Sequence, residues 1–145
     1  MIARGLLALL CASQGIATVG IDLSRTHATN PLWPRHARFH LVWQVASTSF
    51  FCALEIALLW WPGPSPGLFM EQRFYLAAGL TCIPFLGFLT ALISRKAYDG
   101  ALSDPNGIPP ARIRLLKKIL HLDLNVVAVI TALLVLAVVL GLYAH

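Results

Sequence analysis

The sequence predicts an all-α fold: a single integral membrane domain over residues 1–145, built as a four-transmembrane-helix bundle with both termini on the same side. Three observations carry this. Hydrophobic residues make up 58% of the chain and charged ones only 12%, about half the charged share of an ordinary soluble domain. Mean hydropathy is +0.75. The apolar residues also fall into four runs, at about 2–21, 36–61, 72–93 and 116–143, each at least as long as the roughly 20 residues that cross a hydrocarbon core.

The first run carries Gly5, Ser13, Gly15 and Gly20, small residues that let a neighbouring helix come close. Arg4 ahead of an apolar stretch has the look of a signal peptide. Ala8-Leu9-Leu10 before Cys11 lacks the small residue of a lipoprotein cleavage site, so a retained helix is expected. A polar stretch follows from Asp22 to His40, where Pro31 and Pro34 forbid a continuous helix and Pro34 suits the start of the next one.

The second run ends at Trp60-Trp61-Pro62-Gly63-Pro64, an interfacial aromatic pair and a stop, with a short uncharged loop on to Gly67. The third contains Pro84, a candidate kink. Tyr98-Asp99-Gly100 and Asp104-Pro105-Asn106-Gly107 then mark a turn-rich connection. The fourth span is expected to begin as an amphipathic helix, with Arg112, Arg114, Lys117 and Lys118 among leucines and isoleucines, their charges snorkelling to headgroups.

Four spans gather 22–40 and 94–117 on one side, side A, and leave the termini and 62–70 on side B. Side A holds Arg25, Arg35, Arg38, Arg95, Lys96, Arg112, Arg114, Lys117 and Lys118, against Arg4 and Arg73 on side B. The positive-inside rule makes side A cytoplasmic and the termini extracytoplasmic, and if the cell is bacterial the membrane expected is the inner or plasma membrane. The net charge of +5 is thus topological, and no nucleic-acid partner is implied. Cys11, Cys52 and Cys82 lie in apolar runs with no paired spacing, and read as small buried hydrophobes.

Side A also receives His27, His36, His40 and His121. His36 and His40 share a helix face at i,i+4, as do His121 and Asn125. Two functional readings follow. In one, His36, His40 and His121, with His27 or Asp123 as a further ligand, bind a divalent transition metal such as zinc, iron or copper. In the other, a histidine is a general acid or base tuned by Asp123 or Asp22. The bland reading is histidines at headgroup level, with Asn30 and Asn125 capping helices.

Below His40, Gln44, Ser47, Thr48, Cys52 and Glu55 form a stripe at helical spacing into the membrane, which suits a cavity for an apolar molecule with one polar end. Glu55 lies roughly 22 Å from His40 along the helix, too far to share a reaction centre. It is open to a neutral state, a pairing with Arg73, or snorkelling.

The segment His27-Ala28-Thr29-Asn30-Pro31-Leu32-Trp33-Pro34-Arg35-His36-Ala37-Arg38-Phe39-His40 resembles the signature of a family of small four-helix bacterial and fungal membrane proteins grouped with the DoxX-like proteins. The resemblance covers these residues, and implies the four-helix topology with this loop as the site. A broader likeness is to the emopamil-binding, sterol-isomerase group, whose bundles hold an acidic residue and aromatics around a sterol-like ligand; its motif does not align residue by residue, and no catalytic position is carried over.

The preferred expectation is an enzyme acting on a lipophilic small molecule that enters from the bilayer, by isomerisation, hydration or oxidation. His36, His40, His121 and Asp123 are its candidate catalytic residues, and Asn30, Trp33, Arg38, Gln44 and Asn125 its candidate substrate contacts. The rival expectation is a non-enzymatic lipid- or quinone-binding subunit, a homo-oligomer or part of a larger membrane complex, with small-residue faces packed on partner helices.

Overall fold

The computed structural model describes residues 1–62, 69–104, 106–115 and 118–145, with backbone only at 115 and 118. Gly63-Pro64 and the loop to Gly67, Pro105 of the expected turn, and Lys117 lie outside the described residues. Among the described residues four α-helices are present: α1 (Ile2–Asp22), α2 (Arg35–Trp60), α3 (Met70–Ser94) and α4 (Leu124–Ala144). Each is long and apolar enough to cross a membrane. Pro34 stands directly before α2, its carbonyl accepting from the Arg38 amide at 3.1 Å. α3 runs on through Pro84 and tightens into a 3₁₀ turn, Arg95–Tyr98. Asp99 then turns left-handed, and a Cβ at Gly100 would meet the Tyr98 ring, which would have to move aside.

The chain alternates direction across the membrane, and both termini sit at side B. Arg4 near the start of α1 donates to the carbonyl of Leu59 at the end of α2 at 2.6 Å and lies over the Trp60 ring. Phe74, near the start of α3, stacks on Tyr143 at the end of α4 with centroids 3.6 Å apart. This is also where the core sits: Leu7, Leu59, Phe74, Leu136 and Val139 are buried together with small Ala3, Ala77 and Ala78 between them. α1 packs closely on α2, where a Cβ at Gly15 would come within 3.2 Å of the Cys52 sulfur. α4 leans on α1 more than on α3. Large apolar side chains such as Phe50, Ile93 and Leu134 project outward, as lipid-facing positions do.

The expected amphipathic start of the fourth helix is corrected. Residues Ala111–Leu115 (β1) and Lys118–Leu122 (β2) pair as an antiparallel hairpin, Arg112 opposite His121 and Arg114 opposite Ile119, and the helix begins only at Leu124. The cause is local: Ala-Arg-Ile-Arg-Leu alternates with the period of a strand, and Asp123 caps α4 by accepting from the amides of Asn125 at 2.9 Å and Val126 at 3.2 Å. Asp123→Ala should cost about 1 kcal/mol, read as a lower midpoint of unfolding in detergent and faster amide exchange at 125 and 126. Asp123→Asn should keep most of it; equal losses would remove the capping role.

Candidate functional site

The inward face of α2 is set by Val45, Thr48, Cys52, Glu55 and Leu59. Carried back by helical turns, this face passes through Leu41 and half-buried Arg38 and misses His36, His40 and Gln44, which are exposed. His36 and His40 do meet each other, as the i,i+4 spacing predicts: their Nε2 atoms are 3.0 Å apart, and His40 stacks on Trp43. This pair is on the outer surface. His121 sits exposed on β2 across from Arg112, where the hairpin replaces the expected helix and dissolves its i,i+4 relation to Asn125. Among the described residues no three His, Cys, Asp or Glu side chains are grouped to hold a metal.

Asn30 is buried, and both ends of its amide are used by the protein: Nδ2 donates to the Asn106 carbonyl at 3.1 Å and Oδ1 accepts from the Leu32 amide at 3.0 Å. It fastens the two side A loops together, a structural task in place of the expected substrate contact. Asp123 is committed to its cap. Neither residue orients a histidine.

The structure instead opens a cleft between α1 and α4 at the side A half, above the core. Its outer chamber, about 380 Å³, lies under the loops and is lined by His27, Trp33, Asp104, Asp123 and Asn125. The His27 ring is half-buried, held edge-on to Trp33 with centroids 5.2 Å apart, and its Nδ1 lies 2.8 Å from the Thr26 hydroxyl. Through Ile21, Asn125 and Ala128 this chamber continues into a second of about 330 Å³, bordered by Gln14, Thr18, Asp22 and Phe85. Through Ser13 and Ala132 that space in turn meets an apolar groove of about 410 Å³, walled by Leu6, Leu9, Thr131 and Val135 and open along the bundle's flank.

Gln14, Thr18 and Asp22 recur every four residues and so stack on one face of α1. Thr18 returns its hydroxyl to the Gln14 backbone carbonyl. The Gln14 side-chain oxygen is buried with no hydrogen-bond partner among the described residues; a buried acceptor left alone costs roughly 1–3 kcal/mol. Asp22 is half-buried, within electrostatic reach of the His27 ring. Of the expected site residues, His27, Trp33, Asp123 and Asn125 thus line one cleft, and His36, His40, His121 and Gln44 stand apart from it. Arg38, on the inward face of α2, is not among the residues bordering the cleft.

A separate polar cluster is closed inside the bundle. Cys11 and Thr81 are buried with Sγ and Oγ1 3.3 Å apart, beside Cys52 and Glu55. Glu55 does not pair with Arg73, whose guanidinium reaches the carbonyls of Trp61 at 3.2 Å and Ala57 at 3.4 Å. Cys11, Cys52 and Cys82 are free. In comparison with known proteins, no family model, no curated protein and no solved structure matches this chain.

Proposed function

We propose that the protein is a membrane-embedded enzyme for a lipophilic small molecule with one polar, hydrogen-bonding end. The observation that carries this is the change in lining along three adjoining cavities between α1 and α4, from an apolar flank walled by Leu6, Leu9 and Val135, through a chamber bordered by Gln14 and Asp22, to a side A end lined by His27, Asp123 and Asn125. The tail lies in the groove between α1 and α4, and the head lies among Gln14, Asp22 and Asn125. His27, whose Nδ1 is engaged by Thr26, offers Nε2 as its second nitrogen, and with Asp22 supplies an acid–base pair. That pair suits proton-transfer chemistry, an isomerisation or a hydration. The loop 27–40 that resembles the DoxX-like segment roofs this chamber through His27 and Trp33, and the positive-inside rule puts this end in the cytoplasm.

The test is mass spectrometry of lipophiles extracted from protein purified in mild detergent. Ala128→Phe, which fills the junction of the chambers from an exposed helix position, and Asn125→Leu, which removes a hydrogen-bonding group worth about 1–1.5 kcal/mol, should each lower the bound ligand about tenfold with an unchanged melting midpoint. The His36→Ala/His40→Ala double variant should retain it. Ligand loss confined to the histidine double variant would overturn the assignment of the cleft. Binding without any turnover of the extracted compound would favour the lipid- or quinone-binding subunit.

A further inference from the structure

The hairpin of β1 and β2 has two unlike faces. Residues directly opposite in an antiparallel pair share a face, so the register puts Arg112, Arg114 and His121 with Ile119 on one side and Ala111, Ile113, Leu120 and Leu122 on the other, with Lys118 opposite Leu115 at that side's far end from α4. The apolar side is uncovered: Ile113 is 45% exposed and Leu120 44%, and neither strand packs extensively on any helix. A lone two-stranded hairpin is marginal in water. This one is joined through a single residue, Asp123, to the first turn of a membrane-spanning helix, so its base is held at the bilayer surface.

We infer that the hairpin is a surface-docking element that binds anionic phospholipid headgroups of the membrane the protein spans. It lies flat at side A, with Ile113, Leu120 and Leu122 sunk to the acyl boundary and Arg112 and Arg114 reaching the surrounding phosphates. Two arguments select this partner. Arginine offers a planar fork of donors that matches phosphate oxygens, and Arg112 and Arg114 are both exposed. The apolar face adjoins a span that is itself in the bilayer, so lipid is the apolar phase within reach of a strand about 17 Å long. In the sequence, Lys117 and Lys118 add to the positive charge of the segment.

The experiment places an environment-sensitive fluorophore on Leu120→Cys or, separately, on Ile119→Cys in the full chain with Cys82→Ala. The protein is reconstituted in phosphatidylcholine vesicles with or without phosphatidylglycerol, with a spin-labelled lipid as quencher. With phosphatidylglycerol, the probe at 120 should be blue-shifted and strongly quenched and the probe at 119 weakly so. Arg112→Gln and Arg114→Gln should each lower the docked-to-undocked ratio roughly fivefold in those vesicles and leave it unchanged in phosphatidylcholine alone. Equal quenching at 119 and 120 would overturn the flat orientation. Quenching at 120 indifferent to phosphatidylglycerol and to both arginines would remove the anionic headgroup as partner. Quenching that rises with the protein-to-lipid ratio would assign the face to a second copy of the chain instead.

Discussion

Phe74→Ala should lower the stability of the bundle by roughly 3 kcal/mol, the lower end of the range for Phe→Ala in well-packed cores. Phe74 is fully buried, flat against Tyr143 with planes 6° apart, and surrounded by Leu7, Leu59 and Val139 at the side B end. In a bilayer the unfolded reference is as apolar as the core, so the transfer part of the loss shrinks and the cavity and lost dispersion contacts dominate. Phe50→Ala supplies the contrast. Phe50 is 77% exposed, lipid fills the space it leaves, and the change should stay within about 0.5 kcal/mol, as ordinary surface substitutions do. The pair is compared by unfolding in mixed micelles of increasing sodium dodecyl sulfate content. Equal losses would mean that the side B cluster is not what holds α3 and α4 together.

That cluster explains why the site opens where it does. Aromatic and aliphatic side chains close the bundle at side B, whereas α4 offers mainly Ala128 and Ala132 toward α1 in its first half. Small residues that do not meet a partner backbone leave space, and the space becomes the cleft.

The four helices were legible because a span must satisfy its own backbone hydrogen bonds and shed charge over about 20 residues, a demand written in hydropathy alone. The hairpin is masked in the sequence for an identifiable reason. Basic residues among leucines and isoleucines also suit an amphipathic helix running into Val126, although the alternation over Arg112-Ile113-Arg114-Leu115 has period two, and Asp123, near a histidine in the sequence, holds the position of a helix cap.

The candidate site was legible in part. Attention to histidines points to the side A end of the bundle and its first loop, and His27, Trp33 and Asn125 do border the cleft there. His36 and His40 follow a sound spacing rule, but spacing says only that two residues share a face, and the face is fixed by what packs beneath, Val45 and Thr48. The missed signal lay in α1: Gln14, Thr18 and Asp22 form a polar stripe at four-residue intervals in an otherwise apolar helix, as informative as the stripe on α2 and closer to side A. Asn30 shows the converse, a polar loop residue whose bonds turn out to be spent within the fold.

Glu55 gives the sharpest expected contrast. It is 1% exposed, in the interior of a helix long and apolar enough to cross the membrane, and its Oε2 has no hydrogen-bond partner among the described residues. The two cations of side B are engaged elsewhere, Arg4 on the Leu59 carbonyl and the Trp60 ring, Arg73 on the carbonyls of Ala57 and Trp61. A side chain of this shape fits beside Cys11, Thr81 and Cys52, but a full charge there has nothing to compensate it. Glu55→Gln, nearly isosteric and uncharged, should therefore fold with a stability within about 1 kcal/mol of the parent. Glu55→Lys leaves an uncompensated buried charge and should cost at least roughly 3–5 kcal/mol, enough to abolish recovery of folded protein in detergent. Yield and unfolding midpoint of the two variants decide the matter. If Gln is as damaging as Lys, the negative charge itself is required, and the Cys11, Thr81 and Glu55 cluster is a cation site at the heart of the bundle, not a packed polar contact among three helices.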